Sequence, residues 1–299
     1  MRTRYLTLDV FTDRRFAGNP LAVLPEAAGL DAARMQLVAR EFGYPETVFV
    51  LPPDEPDRLA RLRIFTPSRE IPFAGHPTIG AAIALARLGR IAPERDGLAR
   101  IVFEELAGPV PVTIAFEAGR AVRAELVAPH RPSHGPRLDP EPIARALGLE
   151  PVDLVAEGPA PCVVSCGLSF LVVELVAREA LARAQLDGRA ARALPEPAVY
   201  LFTRATGVRG IEIRARMLAP LLGVPEDPAT GSAAAALAGL LAAVEPKADG
   251  DFAWHIEQGV EVGRPSFLAA HARKEAGRVV EARVAGGAVP VMEGWIELG

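Results

Sequence analysis

The chain has 299 residues, half of them hydrophobic and 23% charged, with a formal net charge of −4. That length suits about two domains, each able to bury a sizeable core. A slightly acidic chain whose lysines are Lys247 and Lys274 alone has no basic face for nucleic acid. Its start lacks the apolar stretch and cleavage site of a signal peptide, and no run reaches the roughly 20 apolar residues of a membrane span. A cytoplasmic location with no membrane partner is therefore expected.

In chain order, residues 5–11 alternate as a strand, a Gly18-Asn19-Pro20 turn follows, and 21–24 return, so the chain opens with a hairpin. Asp31 reads as the N-cap of a helix through Phe42, stopped by Gly43-Tyr44-Pro45. Strands are expected at 46–51 and 59–65, then a turn and helix ending near Gly89, then strands at 101–105, 110–116 and 121–127. The stretch 129–142, rich in Pro, Gly and His, reads as a linker. Beyond it come a helix at 141–147, a second hairpin of 162–166 with 169–175, a helix at 179–186, strands at 198–203 and 210–216, and a second turn and helix. Four strands close the chain, at 252–258, 266–273, 278–284 and 289–298.

Cys162 and Cys166 are four positions apart on one predicted strand face. A disulfide within a strand has poor geometry, and a metal site needs more ligands. Both cysteines are read as buried small side chains, and no metal site is expected.

Two stretches stand out. Ile71-Pro-Phe-Ala-Gly75-His76-Pro-Thr78-Ile-Gly80 and Glu226-Asp227-Pro-Ala-Thr-Gly231-Ser232 each open directly into a helix that is apolar on every side. Such a helix must be buried, and 233–244 is too short to cross a bilayer. A helix start leaves backbone N–H groups free and favours an anion such as a carboxylate. Thr78 and Ser232 are placed to cap or to donate from the first turn. Gly75 and Gly231 are 156 positions apart, about half the chain, which points to two similar domains. The expected fold is α+β: strands wrapped around one central helix in each half, with a cleft between the halves. The expected domains are 1–128 and 143–299 about a 129–142 linker, with the last strand free to pack back on the first domain.

Among groups able to do chemistry, Glu46 opens an apolar strand. It is either an exposed strand-end carboxylate or one held in a low-dielectric site with its pKa raised. His76 lies in a Gly-His-Pro turn suited to a ligand. Asp227, Ser232 and Asn19 are each open to a plain turn or capping role. No Gly-x-Gly-x-x-Gly after a strand, Walker motif or Gly-x-Ser-x-Gly elbow is present, which leaves hydride transfer, phosphoryl transfer from ATP and α/β-hydrolase chemistry without support.

Four motifs together, Phe16-x-Gly-Asn-Pro-Leu-Ala-Val, Pro45-Glu-Thr-x-Phe, Phe65-Thr-Pro-x-x-Glu-x-Pro-Phe-Ala-Gly-His-Pro-Thr-x-Gly and Glu226-Asp-Pro-Ala-Thr-Gly-Ser-Ala, resemble the PhzF-like isomerase/epimerase family of phenazine biosynthesis. The resemblance runs along nearly the whole chain. It implies two diaminopimelate-epimerase-like domains with the active site between them, a homodimer, and isomerisation of a small carboxylated metabolite without a cofactor. By resemblance Glu46 is the acid/base that moves a proton, titrating near neutrality, while His76 and Asp227 bind and orient the substrate and assist. Asn19, Gly75, Thr78, Gly231 and Ser232 supply polar contacts. Pro45 stands where many relatives carry serine, so a hydroxyl hydrogen bond is absent there. A two-thiol racemase would need a cysteine at each helix start, where this chain has His76 and Ser232. The reading from another class is a non-catalytic metabolite-binding or scaffold protein that keeps the cleft.

Overall fold

The computed structural model describes residues 2–298. Its elements are β1 (Arg2–Val10), β2 (Asn19–Leu24), α1 (Ala32–Phe42), β3 (Glu46–Leu51), β4 (Ala60–Phe65), β5 (Glu70–Ile71), α2 (Gly75–Arg87), β6 (Leu98–Glu105), β7 (Gly108–Glu117) and β8 (Arg120–Val127). Then come β9 (Ser133–His134), α3 (Pro140–Ala146), β10 (Cys162–Ser165), β11 (Ser169–Glu174), α4 (Arg178–Arg183), α5 (Gly188–Ala191), β12 (Val199–Thr203), β13 (Ile213–Ala219) and β14 (Val224–Asp227). The last are α6 (Gly231–Val244), β15 (Gly250–Gln258), β16 (Ser266–Glu275), β17 (Arg278–Gly286) and β18 (Ala288–Glu297). Two compact units result: one takes the chain up to Pro129 and again from Ala285, and the other is His130–Val284. In the first unit β18 pairs antiparallel with β1.

The two units repeat one strand plan. In the first, β1 and β2 form an antiparallel hairpin, α1 crosses to a parallel β3, β4 is antiparallel, short β5 folds back on it, and β6 returns parallel to β4. In the second, β10 to β15 follow the same sequence of directions, with α4 and α5 in the crossover. The registers fix the equivalences. Ile64 faces Ile71 as Met217 faces Asp227, and Arg61 faces Glu104 as Arg214 faces Glu257. Arg63 forks onto Glu70 at 2.6 and 2.6 Å, and Arg216 onto Glu226 at 2.9 and 2.7 Å, so the same clamp closes the β4–β5 and β13–β14 turns.

The strands beneath the outer helices bury both faces. Outer residues Leu24, Phe49, Leu51 and Phe65 pack on Met35, Val38 and Ala39 of α1. Their counterparts Leu171, Val173, Val199, Leu201 and Leu218 pack on α3 and α4. Alternation then turns Leu21, Glu46 and Val48, or Tyr200, Met217 and Asp227, to the face of the central helix. Those helices are buried from Gly75 to Leu85 and from Gly231 to Ala242. Approach is close: a Cβ on Gly80 would meet Leu21 Cδ2 at 2.3 Å and Val10 Cγ2 at 2.9 Å.

Some elements differ from the sequence reading for local reasons. The helix expected at 179–186 ends at Arg183, where Ala184 turns to φ −56°, ψ 132°; Asp187 then caps a separate turn beyond it by accepting from the Arg189 and Ala190 amides at 2.8 and 2.7 Å. Gly210, at φ 80°, delays the following strand to Ile213. β14, which pairs with β13, carries Pro225, a residue that ladders tolerate at an edge. Within the stretch read as a linker, Ser133–His134 pairs with β10.

Candidate active site

A cluster of buried polar groups lies at the start of each central helix. In the first unit, Asn19 opens β2 after a turn in which Gly18 has φ 66° and a Cβ would meet Val10 O at 2.4 Å. Asp9 Oδ2 holds that turn by accepting from the Phe16 amide at 2.6 Å. Asn19 lies two residues from Leu21, which is the register partner of Glu46, so both polar side chains share the α2 face.

His76 joins them from the second position of α2. Its Nδ1 is 3.2 Å from Glu46 Oε2 and 3.3 Å from Asn19 Nδ2. The ring nitrogen thus lies between an amide donor and a carboxylate. With Nδ1 bare it accepts from Asn19; with Nδ1 protonated it faces the carboxylate. The His76 side chain is 3% exposed and that of Glu46 is 15% exposed. Burial lowers the His76 pKa to about 3, against a hydrogen bond to the Pro20 carbonyl that raises it. At neutral pH the imidazole is uncharged, so its contact with Glu46 is not an ion pair.

Thr78 and Ser232 lie inside the first turns; the caps are Ala74 and Thr230, neither with a side-chain capping bond. The Thr78 hydroxyl lies 2.7 Å from Ala74 O and 2.5 Å from Glu105 Oε1, so it is engaged within the protein. Glu105, the last residue of β6, is 7% exposed and also accepts from the Ala74 amide. Burial raises its pKa to about 8, and the hydrogen bonds from Thr78 and Ala74 oppose the shift. No sequence motif marks Glu105. It ends an ordinary strand pattern, 27 positions beyond Thr78.

In the second unit Asp227, 2% exposed, accepts from Thr230 Oγ1 at 2.6 Å. Gln258, fully buried at the end of β15, accepts from the Thr230 amide at 3.2 Å and donates to Asp227 O at 2.8 Å and Thr230 Oγ1 at 3.0 Å. Tyr200, aligned with Asp227 across Met217, has its phenol pKa pushed up by burial and by the Asp227 charge. Cys166 donates weakly to Ser232 O at 3.5 Å, which brings one cysteine against the α6 start. Both cysteines are free and buried, and burial raises their pKa values to about 11 for Cys162 and about 12 for Cys166. They are thiols at neutral pH, without the thiolate that a two-thiol mechanism needs.

The structure thus brings Asn19, Glu46, Gly75, His76 and Thr78 to one helix start and Asp227, Gly231 and Ser232 to the other. The carboxylates are not repeated. Register places Ala198 where the first unit has Glu46, and Ile71 where the second has Asp227.

A family model described as phenazine biosynthesis-like protein, PhzC-PhzF, matches residues 8–294. An uncharacterized isomerase of Mesorhizobium japonicum is 41% identical, covering 98% of this chain and 99% of its own length. The trans-2,3-dihydro-3-hydroxyanthranilate isomerase of Pseudomonas aeruginosa is 37% identical, covering 97% and 98%. The crystal structure of the PhzF-family phenazine biosynthesis protein of Bacillus anthracis matches with a TM-score of 0.85 at 25% identity, covering 99% of each chain. No helix among the described residues is long and apolar enough to cross a membrane.

Proposed function

The chain belongs to the PhzC-PhzF family of phenazine biosynthesis-like proteins and is an isomerase, and we propose that it moves a proton within a small carboxylated, possibly cyclic, metabolite with Glu46 as acid and base. The observation that carries this reading is the Glu46–His76 contact of 3.2 Å on the buried face of α2, at a position where the second repeat has alanine. A carboxylate there can take a proton from one carbon and return it to another. Neutral His76 orients substrate beside Glu46. Asp227, fixed by Thr230, holds a second polar group of the substrate. The amides at Gly75 and Gly231, with Asn19 and Ser232, bind its carboxylate and stabilise charge as the proton leaves. No cofactor takes part, and the working form is a cytoplasmic homodimer.

The test is solvent exchange. The wild-type protein is incubated in D2O with trans-2,3-dihydro-3-hydroxyanthranilate and a panel of cyclic and amino-acid carboxylates, with binding measured separately. Deuterium uptake into at least one compound that binds is expected. Compounds that bind saturably and take up none would move the protein to a metabolite-binding role.

A further inference from the structure

We propose that Glu105 is a positioning residue for the catalytic turn: as a neutral acid it struts the first turn of α2 and so sets the place of His76. The proposal rests on the proton-transfer reading for its effect on turnover, and on geometry alone for its effect on His76.

Thr78 is short of protons for the contacts it makes. Its hydroxyl has one proton and lies within bonding distance of two oxygens, Ala74 O at 2.7 Å and Glu105 Oε1 at 2.5 Å. A single proton can make only one of these a full two-centre hydrogen bond; for both to be so, one oxygen must bring its own proton, and a carbonyl cannot. A protonated Glu105 donates to Thr78 Oγ1, which donates on to Ala74 O. The Glu105 carboxyl also accepts from the Ala74 amide. An ionised Glu105 would pull the Thr78 proton toward itself, leaving Ala74 O with the Thr78 amide at 3.4 Å. Ala74 and Thr78 flank Gly75 and His76, so that change acts on the segment that carries His76.

The second repeat supplies the control. Register pairs Arg61 with Glu104 and Arg214 with Glu257, which makes Glu105 the counterpart of Gln258. Ala74 and Thr230 are the corresponding N-caps. Gln258 accepts from the cap amide at 3.2 Å and donates onward at 3.0 and 2.8 Å. The position therefore requires one acceptor and one donor. An amide meets that at every pH, and a carboxyl meets it only while protonated.

Nearby charges are occupied elsewhere. Arg61 pairs with Asp54 at 2.5 Å, Arg63 forks onto Glu70, and Glu104 accepts from the Asp54 and Glu55 amides. These groups and Arg58 line a cavity of about 600 Å³ that Glu105 also lines. Glu105 Oε2 has no hydrogen-bond partner among the described residues, so no arginine stabilises its anion. Burial accordingly holds its pKa near 8.

The test compares wild type with Glu105→Gln, which installs the group of the second repeat. In ¹³C-carboxyl NMR, wild type should show one glutamate titrating near pH 8, absent from Glu105→Gln. The His76 ring resonances should move over the same range in wild type and lose that component in Glu105→Gln. Any component from Glu46 persists in Glu105→Gln and disappears in Glu46→Gln. Turnover, once a substrate is in hand, should fall above about pH 8 in wild type and lose that limb in Glu105→Gln. His76 titrations that superimpose between wild type and Glu105→Gln would overturn the proposal whatever the substrate. So would the loss of a carboxyl titrating at an ordinary glutamate pKa.

Discussion

The starts of α2 and α6 are one frame fitted twice with different chemistry. Both follow a short strand clamped by an Arg–Glu fork, and both are strutted by the last residue of the returning strand. At the first, His76 stands between Glu46 and Asn19, with Glu105 behind it. At the second, Asp227, Thr230 and Gln258 form a fixed network around an N-cap. The difference teaches that the frame is a matter of register and packing, while titratable groups stand in each repeat at positions that are apolar or amide in the other. Glu46 stands for Ala198, Asp227 for Ile71 and Glu105 for Gln258.

The clamps are the place where the two regions should differ most in stability. Arg216 also donates to the carbonyls of Leu181 and Ala184 at 2.7 and 2.9 Å, and its side chain is 9% exposed. Arg216→Ala should cost about 3–5 kcal/mol, since Glu226, whose side chain is only 12% exposed, is left without its partner. Arg63 and Glu70 are more open, so Arg63→Ala should cost about 1 kcal/mol. Denaturant midpoints of the two variants check this, and equal losses would break the comparison. Next in size is Gly80→Ala, expected to cost about 1–3 kcal/mol because the added Cβ drives into Leu21 and Val10; thermal unfolding measures it.

Stability also depends on pH through two groups at the first helix start. His76 has a lowered pKa, so the unfolded chain binds the extra proton between about 3 and 6.5, and stability from this group falls with acid in that window. Glu105 has a raised pKa, so the native state keeps the proton between 4.5 and about 8, and stability from this group falls as pH rises there. The two slopes oppose each other from 4.5 to 6.5. Their joint contribution declines below 4.5 and above 6.5. Urea unfolding across pH should show Glu105→Gln flattening the alkaline decline. Gln258→Glu should steepen it by giving the second repeat the titratable strut of the first; an unchanged slope would remove the equivalence.

Much of this was legible in the sequence. Apolar periodicity exposed the two buried helices, their turns carry His76 and Asp227, and Glu46 stands out as a carboxylate at the start of an apolar strand. The 156-position spacing of Gly75 and Gly231 gave the repeat. Glu105 and Gln258 escaped notice because their roles depend on a parallel return from β4 to β6 and from β13 to β15, a pairing far apart in sequence. Thr78 looked like a ligand donor for the same reason: its partner lies on another strand. The state of His76 was equally hidden, since a Gly-His-Pro turn says nothing of how completely the ring is enclosed.

The most direct test of the account is whether the proton moves through the group found in the first repeat alone. Solvent deuterium uptake at saturating substrate, with affinity measured in parallel, should fall by about 10²–10⁴ in Glu46→Gln at little change in affinity. In Asp227→Asn the main loss should be in affinity. Uptake at the wild-type rate in folded, substrate-saturated Glu46→Gln would contradict the account.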